Sequence, residues 1–199
     1  MELKIVLFSD YKMIARIHQK SFKGFFLEEL GVKFLELYYR SVLRSKETIA
    51  VCAINNDGDM VGFATGCKNS KGYNKRLIIA NFLSYFFYTL FYLSYKPKKL
   101  YRLFKNFSKK AYEFDEGDYC ELQSIAVEFE YKGLRIGEEL VKMFENIARE
   151  NSIKQIALTT DYYNNDSVIN FYLKNEYKVF YDFYTYPKRR MYKLIKDIQ

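Results

Sequence analysis

The stretch that decides the fold is Ser124-Ile125-Ala126-Val127-Glu128-Phe129-Glu130-Tyr131-Lys132-Gly133-Leu134-Arg135-Ile136-Gly137-Glu138. Its first four residues end the run Cys120–Val127, which reads as a strand. Its last residues open Gly137–Glu150, where Leu140, Val141, Phe144, Ile147 and Ala148 fall on one helical face. A glycine-containing turn between a strand and a helix presents unpaired N–H groups at the positive end of the helix dipole, which makes a cradle for phosphate. Lys132 and Arg135 add charge that a diphosphate uses. The same pattern also serves as a plain tight turn.

Downstream, Ile153–Thr160 reads as a strand and Ser167–Asn175 as a helix, with Tyr177–Tyr184 and Met191–Ile195 as two closing strands. The spacing Asn165-x-x-Val168-x-x-Phe171-Tyr172 puts Asn165 at the mouth of that helix and Val168 and Tyr172 on one face, four apart. A capped helix whose aromatics fill the core has the same pattern. Upstream, Glu2–Phe8 reads as a strand and Ser9-Asp10 as a helix cap ahead of Met13, Ile14 and Ile17. Leu35, Tyr38, Tyr39, Val42 and Leu43 form a second amphipathic helix. Thr48–Ile54 and Met60–Cys67 flank the turn Asn55-Asn56-Asp57-Gly58-Asp59, giving a hairpin.

The formal charge is +8, and it is local. From Met60 to Tyr112 there are eleven basic residues and no acidic one, while the rest of the chain holds 24 acidic against 21 basic side chains. Within that block Leu77–Tyr95 has no charge over nineteen positions, close to the ~20 apolar residues of a membrane span. Asn81, Ser84, Thr89, Ser94 and four tyrosines weaken it for insertion, so it reads as a buried or half-buried helix pair broken at Lys96-Pro97. Leu100, Leu103, Phe104 and Phe107 then make an apolar stripe among Lys and Arg. This piece suits either a helix docked on the body or contact with a membrane surface or acidic ligand. Glu113–Asp118 reads as a short acidic loop.

With 199 residues and 49% hydrophobic content the chain is one globular domain, not a disordered one. Cys52, Cys67 and Cys120 lack CxxC spacing, which argues against a disulfide framework or zinc site and for a reducing cytoplasm. The lone histidine, His18, sits in a helical stretch and reads as surface or structural; no metal site is expected. No signal peptide is visible, and no helix-turn-helix, zinc-finger or RNA-binding signature points to nucleic acid.

On the Lys132–Gly137 and Asn165–Tyr172 motifs the chain resembles the GNAT N-acetyltransferases, specifically over Glu121–Tyr184 and in architecture over Glu2–Gly66. The resemblance implies a mixed α/β fold: a central, mostly antiparallel twisted sheet of about six or seven strands flanked by helices. Residues 1–199 then form one domain, with residues 68–112 as a basic aromatic helical insertion between the third and fourth strands. The implied activity is acetyl-CoA-dependent transfer of an acetyl group to a primary amine of a small molecule or peptide, by direct attack. Lys132, Gly133, Leu134, Arg135, Ile136, Gly137 and Glu138 would grip the pyrophosphate, Ile125, Ala126 and Val127 would line the pantetheine, and Asn165 and Val168 would flank it. Tyr172 would protonate the leaving sulfur, a role that a phenol of pKa ~10 suits at neutral pH. Glu121 would serve as base through water, with Tyr119 and Gln123 as rivals on its face; a strand-edge carboxylate in solvent is the plainer reading.

Arg135 stands where the first glycine of the family's pair is usual, a costly exchange if the site needs positive φ or close backbone approach. Val168 replaces the usual alanine, and Glu176-Tyr177 the usual Gly-Phe pair. Arg135 motivates the alternative, a degenerate module that binds acyl-CoA or a partner without catalysis and associates with a membrane surface through residues 77–110. A homodimer is a further expectation from the family. Tyr38, Tyr39, Tyr162, Tyr163 and Tyr184 are candidates for the acceptor wall. The basic rim favours an anionic acceptor such as a nucleotide-linked amino sugar over a polyamine.

Overall fold

The computed structural model describes residues 1–93, 115–186 and 188–198. The Lys96-Pro97 break, the Leu100–Phe107 stripe and the first two residues of the acidic loop lie outside the described residues. Seven strands form one sheet in the order β1-β2-β3-β4-β5-β7-β6: β1 Glu2–Ile5, β2 Thr48–Ile54, β3 Met60–Cys67, β4 Cys120–Val127, β5 Gln155–Asp161, β6 Lys178–Thr185 and β7 Arg189–Asp197. Every neighbouring pair is antiparallel except β4 and β5. This is the mixed α/β sheet that the sequence implies.

The helices cover both faces. On one face lies α6, Ile136–Glu150, which buries Leu140, Val141, Phe144 and Ala148 against Ile49, Val51 and Ala53 of β2 and Ile156 and Leu158 of β5. On the other lie α1, Tyr11–Ser21, and α3, Val32–Arg44, which bury Ile14, Ile17, Leu35 and Tyr39 against Ala50, Cys52 and Phe63. Odd and even residues of β2 thus feed two separate cores, as the two-residue period of a strand requires. A short α2, Phe26–Glu29, joins α1 to α3, and α7, Asp166–Lys174, follows β5. Glu145, buried on α6, ties that helix to β7 through Lys196 at 2.9 Å.

The insertion begins with α4, Tyr73–Ala80, and α5, Phe82–Tyr88, with Thr89–Leu93 continuing in π-helical form. Its first break falls at Asn81, ahead of the expected one at Lys96-Pro97. Tyr73 and Leu77 are buried in the body, but Phe82, Leu83, Phe86 and Phe87 face solvent, so the segment is half-buried.

The feature that positions the site is an irregularity in β4. Its register against β3 runs Thr65↔Ser124 and then Gly66↔Leu122, so Gln123 is an extra residue. Such a bulge reverses which face the following side chains take. Cys120 and Leu122 accordingly pack on the α6 side, whereas Ala126 packs on the α1 side. Gly66 makes the bulge feasible. A Cβ there would lie 2.1 Å from the Glu121 carbonyl oxygen and 2.7 Å from Phe144 Cζ.

Candidate active site

The parallel ladder between β4 and β5 holds only for Cys120↔Ile156, Glu121↔Ala157 and Leu122↔Leu158. Both strands run on past that point, to Val127 and Asp161, so they splay apart from the bulge onward. The splay leaves the β5-facing edge of Gln123–Val127 without a strand partner, and its backbone groups are available to a ligand. A cavity of about 240 Å³ fills the opening. Leu122, Gln123, Ser124 and Ile125 form one wall, and Leu158, Thr159, Thr160 and Asp161 the other. Ser21, Phe22 and Phe25 from the end of α1 close it on one side, and Asn165, Val168 and Tyr172 of the α7 region on the other. It sits at the carboxyl ends of the two parallel strands, where open α/β sheets bind ligands. A larger cavity of about 440 Å³ lies at the opposite, amino-terminal ends of β4 and β5, lined by Lys68, Asp118, Lys154 and Asp197 among others. Of the residues read as functional from the sequence, Tyr119, a rival of Glu121 for the base, lines it, and neither Glu121 nor Tyr172 nor any cofactor-binding candidate does.

The turn before α6 has the form a phosphate cradle needs. Glu139 N–H closes on Arg135 O at 3.1 Å, so the N–H groups of Ile136, Gly137 and Glu138 precede the first helical bonds and have no helical acceptor. Gly133 has φ 83° and Arg135 φ 59°, both left-handed. The glycine that the family pattern puts at position 135 thus has a backbone reason, and the arginine here adopts the conformation at a cost of roughly 1–2 kcal/mol. Lys132, Gly133, Leu134 and Arg135 are all exposed, with the Lys132 ammonium 5.2 Å over the Phe129 ring. The Glu138 carboxylate is engaged by Lys142 at 2.7 Å, which holds its pKa below the usual carboxylate value; only its backbone N–H is left to the cradle. A Cβ at Gly137 would meet Phe171 of α7 at an ordinary packing distance, so α7 lies close to the start of α6 beside the cradle. These N–H groups and two cations suit an anion, and the open edge of β4 leads from the bulge toward this turn, so the arrangement suits a phosphate-bearing chain lying along β4.

Asn165 stands at the mouth of α7, as its spacing predicts, but its side chain does not cap the helix. Its Nδ2 donates to Thr160 Oγ1 at 2.7 Å and to the Asp161 carbonyl at 3.1 Å, which pins the start of α7 to the end of β5. Val168 is half-exposed at the cavity, and Ile125 lines it, whereas Ala126 is buried in the α1-side core and Val127 lies opposite Gly62 of β3. Tyr172 is 5% exposed and lines the cavity; burial raises its phenol pKa, so the hydroxyl is a neutral proton donor. That hydroxyl makes no hydrogen bond among the described residues.

Glu121 lies in the paired part of β4, before the splay, and does not line the cavity. Lys193 Nζ donates to its Oε1 at 2.5 Å, in a nearly buried ion pair. The plainer reading of Glu121 as a carboxylate free in solvent is therefore not what the fold gives it. Tyr119 donates instead to the buried Asp115, which also accepts from Tyr181. Gln123, at the bulge, reaches the cavity.

Several participants escape sequence reasoning. The aromatic walls are Phe22 and Phe25 together with Tyr172, while Tyr39 is buried in the core, Tyr163 and Tyr184 are exposed, and Tyr162 stacks on Tyr192 at 4.5 Å. Asp161 forms a two-point ion pair with Arg189, whose guanidinium lies 4.0 Å over the Phe25 ring, so three separate segments lock at the cavity rim. The buried Tyr39 hydroxyl meets His18 Nδ1 at 2.6 Å. His18 is buried, and that burial pushes its pKa down to about 4, which makes it a poor proton acceptor. Cys52 and Cys120 are likewise buried, with their thiols raised to about 11 and about 12, so neither supplies a thiolate nucleophile.

The sequence profile of the acetyltransferase (GNAT) family matches residues 11–177. No curated protein sequence matches the chain. Among solved structures it is similar to Ard1 from Thermoplasma volcanium, with a TM-score of 0.63 at 15% identity, covering 100% of this chain and 97% of that one. It is also similar to the ribosomal-protein-S18-alanine N-acetyltransferase from Escherichia coli, with a TM-score of 0.63 at 12% identity, covering 100% and 94%. A third similar structure is the PaiA N-acetyltransferase from Thermoplasma acidophilum in complex with coenzyme A, with a TM-score of 0.57 at 15% identity, covering 98% of each chain. At these identities the structures speak for the fold; the profile match, spanning most of the chain and including the cradle and the Asn165–Tyr172 motif, shows that the chain belongs to the GNAT acetyltransferase family.

Proposed function

We propose that the protein is an acetyl-CoA-dependent N-acetyltransferase that acylates a primary amine of a small molecule or peptide by direct attack. The observation that carries this reading is the splay of β4 from β5 at Leu122↔Leu158, opening into a cavity that ends at Tyr172. Acetyl-CoA supplies the acyl group as a thioester. The N–H groups of Ile136, Gly137 and Glu138, with Lys132 and Arg135, hold its pyrophosphate. The free edge of Ile125–Val127 orients the pantetheine beside Asn165 and Val168. The cavity admits the thioester end and leaves the nucleotide outside. Tyr172, neutral and without a competing partner among the described residues, donates its proton to the departing sulfur. The attacking nitrogen must first lose a proton, and Glu121 takes it through water; its Oε2 makes no hydrogen bond among the described residues, while Lys193 fixes Oε1.

The PaiA structure, which shares this fold, is in complex with coenzyme A, which supports binding of an acyl-CoA here. The three buried, unpaired cysteines support a reducing, cytoplasmic setting. Peripheral membrane contact by the insertion rests on a different observation and is independent of catalysis. A homodimer would register in sedimentation. The test of the reading is release of free thiol from acetyl-CoA against a panel of amines that includes a nucleotide-linked amino sugar, spermidine and N-terminal peptides. Amine-dependent thiol release is the expected outcome. Saturable acetyl-CoA binding with no release for any amine favours the non-catalytic alternative, and preference for spermidine rejects an anionic acceptor.

A further inference from the structure

The half-buried insertion is packed inside out. On α5 the tyrosines point inward: Tyr85 and Tyr88 lie 6.1 and 5.5 Å from the Phe34 ring of α3, and the Tyr88 hydroxyl donates to the Leu30 carbonyl at 3.1 Å. The residues without a polar atom point outward. Phe82, Leu83, Phe86, Phe87, Leu90 and Phe91 are each between 48% and 67% exposed, and Ile79 on α4 extends the same exposure. They form one surface, because the Phe82–Phe86, Phe86–Phe87 and Phe87–Phe91 ring centroids are 5.9, 5.7 and 6.2 Å apart. A helix that faces water has the reverse arrangement, with tyrosine outside and phenylalanine inside. A contiguous exposed apolar surface marks a docking site.

The charge pattern selects the occupant. The exposed face carries no charge, Lys75 precedes Ile79 by one helical turn, and no acidic residue occurs anywhere between Met60 and Tyr112. We propose that this face lies on a bilayer containing anionic lipid, with the phenylalanines in the headgroup–acyl boundary and the flanking lysines among the phosphates. A second copy of the chain fits less well: Arg76 and Lys71 are already paired with Glu47 and Asp118, but Lys75, next to the apolar face, has no acidic partner among the described residues, and a two-fold contact through this face would bring it toward its own copy. The segment lies on the surface instead of crossing it: among the described residues no helix is long and apolar enough to span a membrane. Tyr85 and Tyr88 anchor the segment to the catalytic body, so docking fixes that body next to the membrane.

The test uses the full chain with sedimented vesicles of phosphatidylcholine alone and of phosphatidylcholine with 30% phosphatidylserine, at low and at 0.5 M salt. Binding to the anionic vesicles is expected, at least tenfold above neutral ones and falling with salt. The triple variant Leu83→Gln/Phe86→Gln/Phe87→Gln changes only exposed positions and is expected to keep its melting temperature while losing at least tenfold in bound fraction. Three outcomes overturn the proposal: no pelleting with anionic vesicles, equal pelleting with both compositions, or pelleting that the triple variant leaves unchanged. A dimer in sedimentation velocity that the triple variant dissolves, without vesicle binding, assigns the face to a second copy.

Discussion

Arg135→Gly separates the two consequences of placing an arginine where the cradle needs a left-handed residue. Arg135 has φ 59°, and an L-residue there costs roughly 1–2 kcal/mol. Glycine removes that strain but gives the unfolded chain more freedom, worth roughly 0.5–1 kcal/mol in the opposite direction. The net is a gain of about 0.5–1 kcal/mol, which raises the melting temperature by about 1–4 °C in a chain of this size. Acetyl-CoA binding moves the other way. The exposed guanidinium contributes a charged contact to the pyrophosphate, worth about 1–2 kcal/mol, so removing it weakens Kd about five- to thirtyfold. Arg135→Ala keeps the Cβ and the strain while losing the charge, and should show the weaker Kd without the gain in melting temperature. Differential scanning calorimetry and titration calorimetry on the three proteins read both quantities. A glycine variant that melts higher yet binds acetyl-CoA as tightly as the parent refutes the phosphate role of the side chain. A glycine variant that melts lower refutes the strain argument.

Three further outcomes are expected. Tyr172→Phe should lower turnover at least tenfold, with Kd for acetyl-CoA within about threefold, because it deletes a hydroxyl that makes no internal bond among the described residues and keeps the ring; unchanged turnover removes Tyr172 from the chemistry. Folded His18 stays neutral down to about pH 4 whereas an unfolded histidine takes its proton near 6.5, so the unfolded state binds the extra proton between those values and stability falls with pH across that window. The full loss is about 3 kcal/mol, and His18→Gln should show a flatter profile of melting temperature between pH 7 and 4.5. Gly66→Ala should cost at least ~2 kcal/mol in chemical denaturation, since the new Cβ meets backbone at 2.1 Å; a midpoint equal to the parent's contradicts the bulge geometry.

What the sequence makes legible follows from local chemistry. Thr48–Ile54 and Met60–Cys67 are strands with those boundaries because the Asn55–Asp59 turn between them has few other conformations. The α6 stripe is read correctly because every fourth residue meets the same sheet face. The sequence also poses the question of positive φ at Arg135, and the backbone answers it. What stays hidden depends on partners far along the chain. The bulge at Gln123 exists only against β3, so alternation along β4 wrongly continues past it and Ser124 goes unnoticed. Asp161 meets Arg189 and Phe25 across three segments, which no periodicity links. Glu121 is paired with Lys193 for the same reason. Tyr39 suggested a binding wall from its residue type, whereas its helical spacing with Leu35 already put it on the buried face.

The most direct test of the central claim is an acetyl-CoA titration followed by backbone amide NMR shifts. The account expects saturable changes at Gly133, Ile136, Gly137 and Glu138 and along Gln123–Val127, the cradle and the open edge of β4. No shifts, or shifts confined to the cavity lined by Lys68, Asp118 and Lys154, would contradict it.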